Sequence, residues 1–516
     1  MAKPYPADHP VFYGPFKPMR FEADIDECIV TQGEIPRDIA GGAYRIGATW
    51  KRTCRQGTHG LYSLDSMVHG MIFEDGKARF RNRWLQTPKF LLEQKHNRGM
   101  FEWTDGHWND LRNFCIGDVQ RDEWNTGVPQ GNNGINIFPF AGKMIAVGEQ
   151  GGPPTAVDPM TLETVGIVPW SNGLVPGVHK DPGKPNAHTR DIVPEGVNVH
   201  CAFTAHPKWD TQTGDAWGWS FSHKAPFVTA YRVRPDGSVD RVAAPDMPYA
   251  PDAHDGWLTE DYLAIPVHPW LVSPDRIVEG HSAYDWKPEL PMGLLLFPRK
   301  GFPNVQPRFM QLDIPAECVV HTLAANTNGN ILTLDSPAFE GRPAWPFESD
   351  FLNNPDGAKL FFALASASMT RWTVDLSTGR SKTERLSDRP CELSKIDERF
   401  FGKPYRWGFL VGGERKRGGM YMKDLVKFDA HTGSETVYRI QKDRPCAILE
   451  PNFVPRRPDA PEGDGWVIVP VTFWADNRCE YQIFDADDIT VGPIATIDIP
   501  FHCGWSAHGH WMDFRN

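Results

Sequence analysis

Four histidines stand out among the residues of this chain that could do chemistry. His206, His254, His321 and His508 lie far apart in the sequence, each beside a short apolar or strand-prone segment. Imidazole nitrogens are common metal ligands, but none of the four belongs to a compact motif such as HExxH or CxxC. The chain has 18 histidines, and a single histidine is more often a hydrogen-bonded core residue than a ligand. The four can form one site only in a fold that brings several strand ends together.

The residues around these histidines are typical of strand boundaries. His206 is followed by Pro207, and this pair predicts a strand that ends at the histidine, because proline cannot donate to a strand ladder. His321 follows an apolar Cys-Val-Val segment, and His508 lies in a turn next to a glycine. The elements that carry the histidines are therefore predicted to be strands.

Turn signals recur along the chain and predict an all-β fold. Asp-Gly, Thr-Gly or Lys-Gly pairs between alternating apolar residues indicate β-hairpins, and two weaker Asp-initiated turns precede β-rich runs. The seven predicted turns are Glu74–Lys77, Asp158–Thr161, Arg234–Gly237, Arg299–Gly301, Ser377–Gly379, His431–Gly433 and Asp485–Asp488. Spacings of about 50 to 85 residues are loose for a blade repeat but fit one with insertions.

Seven hairpin units favour a seven-bladed β-propeller over an array of β-sandwiches. Met292–Phe297 and Trp466–Val471 are clear strands, and only a propeller offers a central axis on which residues from many strands converge. The long segments 86–132 and 168–200 are expected to form a dome of loops and short helices that covers the axial site. We expect residues 1–516 to form one domain, with an extended arm over about residues 1–30.

Composition indicates which kinds of partner the protein lacks and which cellular compartment it occupies. A formal net charge of −11, with no Lys/Arg-rich run, argues against nucleic acid or an anionic membrane as the main partner. No apolar stretch approaches the roughly 20 residues that cross a bilayer. The N-terminal residues have no signal-peptide core, and nine scattered cysteines suit reduced thiols. The sequence therefore predicts a cytoplasmic protein, and it leaves the oligomeric state open.

Several segments resemble the carotenoid cleavage oxygenase family, in the family's order and over nearly the whole chain. They are Gly33–Pro36, Gly42–Arg45, Asp158–Thr164, Phe203–Lys208, Ala253–Glu260, Glu392–Phe400, Glu450–Pro455 and Ala507–Trp511. Within the family the chain is similar to the bacterial lignostilbene dioxygenases, through Thr370–Asp375, Lys382–Leu386 and Pro455–Gly465.

The resemblance implies a seven-bladed propeller with Fe(II) on its axis, held by His206, His254, His321 and His508. It also implies oxidative cleavage of a carbon–carbon double bond by O₂ to give two carbonyl products. Four neutral imidazoles suit a divalent metal of borderline softness, and the lack of a thiolate disfavours structural zinc. Carboxylates that accept the outer ring N–H groups would fix the tautomers and offset the charge of the ion.

By the family pattern, two of these carboxylates are Glu392 and Glu450, and a third precedes Gly151. Here the chain departs from the pattern, because the matching position holds Gln150 and Glu149 lies one residue earlier. The ungapped match favours Gln150, which could accept the imidazole proton through its amide oxygen. Glu149 takes this role if the turn is one residue longer.

Three functions remain in competition on sequence grounds. The leading prediction is an Fe(II) dioxygenase that uses O₂ to cleave a small aromatic alkene, either stilbenoid or phenylpropenoid. The alternatives are an apocarotenoid-cleaving dioxygenase and a non-catalytic propeller that serves as a binding scaffold. The resemblance further implies that a Tyr and a Lys hold the substrate's 4-hydroxyl group, yet Thr104 and Glu149 occupy the ungapped positions. Neither can stabilise a phenolate in the same way, so the chain is predicted to recognise its substrate differently.

Overall fold

The computed structural model describes residues 17–49, 51–52, 65–101, 119–129, 131, 133–178, 180–273, 275–278, 284–341, 367–413, 422–440, 444 and 446–515. Strands dominate these residues, as the hairpin signals predict. Thr104 lies outside the described residues, so its prediction is not addressed by the structure.

The strands and helices follow the chain in this order. The first part contains β1 (Ala23–Ile25), β2 (Ile29–Gly33), β3 (Gly41–Thr49), β4 (Asp65–Glu74), β5 (Lys77–Trp84), α1 (Pro88–His96), β6 (Asn136–Phe140), β7 (Lys143–Val147), β8 (Thr155–Val157) and β9 (Thr164–Ile167). The middle part contains β10 (Lys208–Trp209), β11 (Ala216–Phe221), β12 (Val228–Val233), β13 (Val239–Ala243), β14 (Trp257–Leu258), β15 (Tyr262–Val267), β16 (Trp270–Val272), α2 (Asp275–Val278), β17 (Tyr284–Trp286), β18 (Gly293–Pro298) and β19 (Arg308–Gln311). The last part contains β20 (Ala324–Asn328), β21 (Ile331–Phe339), β22 (Ala367–Asp375), β23 (Ser381–Ile396), β24 (Trp407–Gly412), β25 (Asp424–Asp429), β26 (Glu435–Arg439), β27 (Ala447–Ile448), β28 (Asn452–Pro455), β29 (Gly465–Phe473), β30 (Arg478–Asp485), β31 (Ala495–Ile499) and β32 (Gly509–Asp513).

These strands pair antiparallel in sheets that we number along the chain. Sheet 1 has the order β1-β5-β4-β3-β32, sheet 2 is β6-β7-β8-β9, sheet 3 is β10-β11-β12-β13 and sheet 4 is β14-β15-β18-β19. Sheet 5 runs from β20 to β26, and sheet 6 has the order β2-β31-β30-β29-β27, with β28 also on β29. A two-stranded ribbon, β16-β17, is inserted between the strands of sheet 4.

The long strand β23 divides sheet 5 into two halves. Its first part pairs with β22 and its last part with β24, and the register shifts between Glu392 and Lys395. Leu393 has a φ of 52° at this shift. A residue in the left-handed region is typical of a bulge, which turns the chain and redirects the flanking side chains. Glu392 is thus placed at the point where one strand passes between two packed units.

All seven predicted turns join strands, and each lies in a different sheet or half-sheet. Glu74–Lys77 connects β4 to β5, where Asp75 and Gly76 both have positive φ, as a two-residue hairpin of type I′ requires. The predicted strands at Met292–Phe297 and Trp466–Val471 correspond to β18 and β29. Within the range expected for the N-terminal arm, β1 pairs with β5, and β2 begins at Ile29 and pairs with β31.

Hydrophobic clusters join the sheets in chain order. Trp217 of β11 and Leu295 of β18 belong to one cluster between sheets 3 and 4. Equivalent clusters lie between sheets 1 and 2, 2 and 3, 4 and 5, the two halves of sheet 5, and 5 and 6. Trp466 of β29 and Met71 of β4 share a further cluster that brings sheet 6 back to sheet 1. The core is therefore a series of interfaces between neighbouring sheets.

The structure also describes most of the cysteines and the helices. Seven cysteines are described, and all of them are buried free thiols. Among the described residues, helices long and apolar enough to cross a bilayer are absent.

Candidate metal centre

Each of the four candidate histidines lies immediately before a short strand. His206 precedes β10, His254 precedes β14, His321 precedes β20 and His508 precedes β32. These strands belong to sheets 3, 4, 5 and 1, and each is an edge strand of its sheet in the order given above. All four imidazoles come from starts of edge strands, so residues that are distant in sequence meet at one place.

The prediction that a strand ends at His206 is wrong. Residues 201–207 are irregular, and the strand begins after Pro207, at Lys208. The physical reason is that proline only lacks a donor, so it is also suited to the position before a strand begins. Asn136 holds the irregular segment instead, through a 2.8 Å hydrogen bond from its Nδ2 to the Ala205 carbonyl.

The four imidazoles form one compact group, in which His206, His254 and His508 are buried and His321 is partly buried. The ring centroid of His206 lies 4.7 Å from that of His254, 5.1 Å from that of His321 and 4.7 Å from that of His508. His321 lies 5.4 Å from His254 and 4.6 Å from His508 by the same measure. Ring nitrogens of His206, His321 and His508 all lie within 4.8 Å of one another, as metal ligands would.

Two carboxylates orient two of these rings. Glu392 Oε2 is 2.6 Å from Nδ1 of His321 and also accepts a 2.7 Å hydrogen bond from the Leu393 amide. Glu450 Oε1 is 2.8 Å from Nδ1 of His508, and its Oε2 accepts a 3.0 Å bond from the Gly509 amide. With Nδ1 as the donor, each ring keeps the lone pair of Nε2 for a metal.

Of the two candidates for the third carboxylate position, Glu149 lies beside two of the histidines. Oε2 of Glu149 lies 3.6 Å from His206 Nε2 and 3.9 Å from His254 Nδ1. The amide of Gln150 makes no hydrogen bond to any of the four histidines among the described residues. Gln150 has a φ of 50°, so the backbone turns at this residue. Both carboxylate oxygens of Glu149 are also without a hydrogen-bond partner among the described residues, so Glu149 and Gln150 both remain candidates for the third position.

Burial controls the protonation of the centre. It lowers the pKa of His206 and of His254 well below the usual histidine value, and it holds the pKa of His508 at about 4. Burial also acts to lower the pKa of His321, but the charge and hydrogen bond of Glu392 outweigh it and raise that pKa. Neutral imidazole is the form that binds metals, so the environment favours metal binding by at least three of the four rings.

Arg45 supports the segment that carries His508. Its guanidinium is buried and donates to the carbonyls of Glu450, Ser506 and Ala507 at 2.7, 3.1 and 3.0 Å. Sequence reasoning used Arg45 only as part of a family motif. The signal that could have revealed its role is an arginine inside an otherwise apolar strand.

A small polar cavity of about 30 Å³ adjoins the imidazoles, and the sequence did not predict it. Lys395 lies at its wall, 3.1 Å from Glu398 Oε1, 3.0 Å from His510 Nδ1 and 3.4 Å from Glu450 Oε2. Lys208 and Asp255 line the same cavity. His510 and Lys208 each follow a candidate ligand by two residues, and each lies in the first two residues of the strand that follows.

Comparison with known proteins places the chain in a family. The family profile described as "RPE65: Retinal pigment epithelial membrane protein" matches residues 16–513. The chain belongs to the RPE65/carotenoid cleavage oxygenase family. Isoeugenol monooxygenase of Pseudomonas nitroreducens is 30% identical, with 98% of each chain covered. Resveratrol cleavage oxygenase 1 of Aspergillus fumigatus is 28% identical, with 99% of this chain and 96% of the relative covered.

Solved structures of this carotenoid oxygenase family have the same fold. A lignostilbene dioxygenase of Pseudomonas brassicacearum superposes with a TM-score of 0.80 at 26% identity, covering 99% of this chain and 100% of that one. Cobalt-substituted Synechocystis ACO superposes with a TM-score of 0.75 at 22% identity, covering 99% of both chains. Carotenoid oxygenase structures are β-propellers, which agrees with the predicted architecture.

Proposed function

We propose that the chain is a non-haem Fe(II) oxygenase that cleaves the carbon–carbon double bond of a small aromatic alkene. The observation that carries this proposal is the buried group of four imidazoles, two of which are oriented by Glu392 and Glu450. Such a group has no evident use in a binding scaffold, and burying several unpaired ring nitrogens costs stability unless they find a partner.

The residues of the centre fit a divalent iron ion. His206 Nε2 is buried and has no hydrogen-bond partner among the described residues, which is expected of a ligand atom whose metal is not included. An all-imidazole donor set suits iron of borderline softness. Bound Fe(II) would supply activation of O₂ for cleavage of the alkene into two carbonyl products.

The protein's own residues orient the ligands and balance the charge. Glu392 and Glu450 accept Nδ1 protons and so keep Nε2 of His321 and His508 directed at the ion. Glu149 is the proposed third carboxylate, because its Oε2 lies 3.9 Å from Nδ1 of His254, the ring nitrogen that stays free when Nε2 binds the metal. Burial opposes ionisation of Glu450, yet Lys395 and His508 leave its pKa below the usual carboxyl value. Glu450 is therefore an anion that partly offsets the charge of the metal.

The fold proposed for the whole chain, residues 1–516, is one seven-bladed propeller domain. The blades are sheets 1–4, the two halves of sheet 5, and sheet 6, and each contains one of the seven predicted turns. Each blade also contributes one side chain to the centre: a histidine from sheets 1, 3 and 4 and the first half of sheet 5, and a carboxylate from sheet 2, the second half of sheet 5 and sheet 6. The segments 86–132 and 168–200 are proposed to cover the substrate chamber.

The substrate class rests on the relatives and on the departures of this chain. The relatives are named for isoeugenol, resveratrol and lignostilbene, all of which are small aromatic alkenes. A carotenoid cleavage oxygenase of Mycobacterium tuberculosis is 27% identical, which keeps apocarotenoid cleavage as the second candidate. The aromatic class is preferred because more of the similar relatives act on it.

Iron content tests the proposal directly. We expect about one Fe(II) per chain in protein purified without oxygen, and loss of most iron and activity in His321→Ala. His431→Ala is the matched control, because His431 lies exposed in the hairpin turn between β25 and β26. A wild-type protein that takes up no iron would favour the scaffold, and His321→Ala with full iron and turnover would remove His321 from the ligand set.

A further inference from the structure

One buried carboxylate connects three of the four histidine-bearing segments. Asp255 Oδ1 accepts hydrogen bonds from Lys208 Nζ at 2.8 Å and from the Gly256 amide at 2.7 Å. Asp255 Oδ2 accepts from the Thr322 amide at 2.7 Å and lies 2.9 Å from the Thr322 hydroxyl. The residue is 2% exposed, so these contacts replace water almost completely.

The partners of Asp255 are the near neighbours of three proposed ligands. Lys208 lies two residues after His206, Asp255 itself follows His254, and Thr322 follows His321. The three segments precede β10, β14 and β20, which belong to three different sheets. No ladder of backbone hydrogen bonds joins those strands in the sheet order of the described residues. The carboxylate therefore makes a direct polar connection where the sheets make none.

Different atoms of this connection hold different segments. The Thr322 hydroxyl lies 2.9 Å from the Gly256 carbonyl as well as from Asp255 Oδ2, so either choice of acceptor ties His321's segment to that of His254. The two carboxylate oxygens have separate tasks: Oδ1 holds the His206 segment through Lys208, and Oδ2 holds the His321 segment through Thr322. His508 is held independently, through Arg45 and Glu450.

We propose that Asp255 is a positioning residue that fixes the mutual placement of His206, His254 and His321 and thereby slows loss of the metal. This inference rests on the proposed metal centre, and it adds a residue that is neither a proposed ligand nor one of the proposed carboxylate partners. A carboxylate that holds the backbone beside each ligand restricts how far the rings can separate. Residues that orient metal ligands typically change metal affinity by about 10–100-fold when they are replaced.

The decisive experiment compares Asp255→Asn with the wild-type protein after loading with Fe(II) without oxygen. The amide keeps an oxygen for Lys208 but presents an NH₂ group to the Thr322 amide, so a donor faces a donor. We expect release of Fe(II) to the coloured chelator ferrozine to accelerate about 10–100-fold. We also expect the optical spectrum of the Co(II)-substituted variant to shift, because the ligand geometry changes.

Asp424→Asn is the matched control. Asp424 is a fully buried carboxylate that accepts three hydrogen bonds from Arg389 and Arg439, in β25. The Asp424→Asn variant should have a lower melting temperature, but its rate of Fe(II) release and its Co(II) spectrum should be unchanged. Equal metal loss in Asp424→Asn and Asp255→Asn would overturn the inference, because general destabilisation would then explain both results.

A second variant keeps the inference falsifiable if Asp255→Asn does not fold. Thr322→Val keeps the backbone amide and the shape of the side chain but removes the hydroxyl, and it should accelerate Fe(II) release by a smaller factor. Wild-type release rates in every soluble variant of Asp255 and Thr322 would overturn the positioning role. A wild-type protein that binds no Fe(II) would instead contradict the proposed function, so the two failures are distinguishable.

Discussion

At the scale of single residues, the choice between Glu149 and Gln150 shows what backbone conformation adds to sequence. An ungapped match places Gln150 at the third carboxylate position, because the residues on both sides then agree with the family. The backbone at Gln150 has a positive φ, and a residue in that region turns the chain, so the side chain that faces the histidines belongs to Glu149. No pattern in the sequence states that turn.

Replacing Glu149 tests this reading. Glu149→Gln replaces the carboxyl group beside His206 and His254, and we expect iron affinity to fall about 10–100-fold. Gln150→Asn is the control, because asparagine tolerates a positive φ and changes no charge. Iron content after dialysis measures both variants. Loss of iron in Gln150→Asn but not in Glu149→Gln would restore the ungapped match.

Arg45 offers a second prediction at this scale. Arg45→Met would leave the carbonyls of Glu450, Ser506 and Ala507 without their buried donor. We expect a loss of about 3 kcal/mol in the free energy of unfolding, since unsatisfied buried polar groups cost about 1–3 kcal/mol each. Urea titration measures the change. The control Lys77→Met removes only an exposed pair with Glu27 and should stay within about 0.5 kcal/mol.

At the scale of elements, turn chemistry could be predicted and the shortest strands could not. The seven predicted turns all connect strands, because Asp-Gly and similar pairs act locally. The turn at Ala141-Gly142, between β6 and β7, was missed because alanine is not a usual residue at a positive φ. The strands β10 and β14 contain two residues each, which is too short for any alternating pattern. The sequence therefore identified the histidines, but it did not show that they precede the strands rather than end them.

Gly142 and Gly76 allow the cost of backbone strain to be compared with the cost of steric crowding. Gly142 has a φ of 75° and open space where a Cβ would stand, whereas a Cβ at Gly76 would lie 3.3 Å from both Arg37 Cγ and the Ile35 carbonyl oxygen. We expect Gly142→Ala to cost about 1 kcal/mol from strain alone. Gly76→Ala should cost more, because its neighbours must also move. Thermal unfolding of the two variants gives the comparison, and equal losses would show that the crowding at Gly76 relaxes freely.

At the scale of the whole molecule, the ends of the chain complete the sheets. The C-terminal strand β32 pairs with β3, and the N-terminal strand β2 pairs with β31. Each predicted hairpin turn depends on neighbouring residues alone, whereas these pairings involve residues more than 450 positions apart. Long-range register depends on packing between sheets, so local patterns do not specify it.

Acid stability gives a prediction for the molecule as a whole. Burial, with a contribution from Arg45, lowers the pKa of His69 to about 3. The unfolded chain binds this proton below about pH 6.5 while the folded protein does not, so stability falls with decreasing pH by about 1.4 kcal/mol per unit. His69→Phe should lose less stability than the wild type between pH 7 and pH 5, by about 2 kcal/mol. Urea unfolding at both pH values measures the difference, and identical pH profiles would contradict it.

The substrate of the whole molecule must be found by experiment, and the residue before the third carboxylate bears on it. A lysine before the third carboxylate is expected to help hold a phenolate in lignostilbene cleavers. In this chain that position is Glu149 if Gln150 supplies the third group, and Gly148 if Glu149 does. Either register removes the lysine, so the electron density of a phenolate is not stabilised there. We therefore expect weak dependence on a free 4-hydroxyl group.

A substrate panel tests this expectation in the iron-loaded enzyme. It contains a 4-hydroxystilbene, an isoeugenol-type propenylphenol, the 4-O-methyl ether of each, and a short apocarotenoid. We expect kcat/KM for each ether to stay within about tenfold of its phenol. A phenol that only makes a hydrogen bond contributes about 1.4 kcal/mol or less to transition-state binding, and this corresponds to a factor of ten in kcat/KM. Strict loss of turnover on methylation would mean that another basic group activates the phenol. Cleavage of the apocarotenoid alone would assign the enzyme to the second candidate class, whose long apolar substrate has no phenol to recognise.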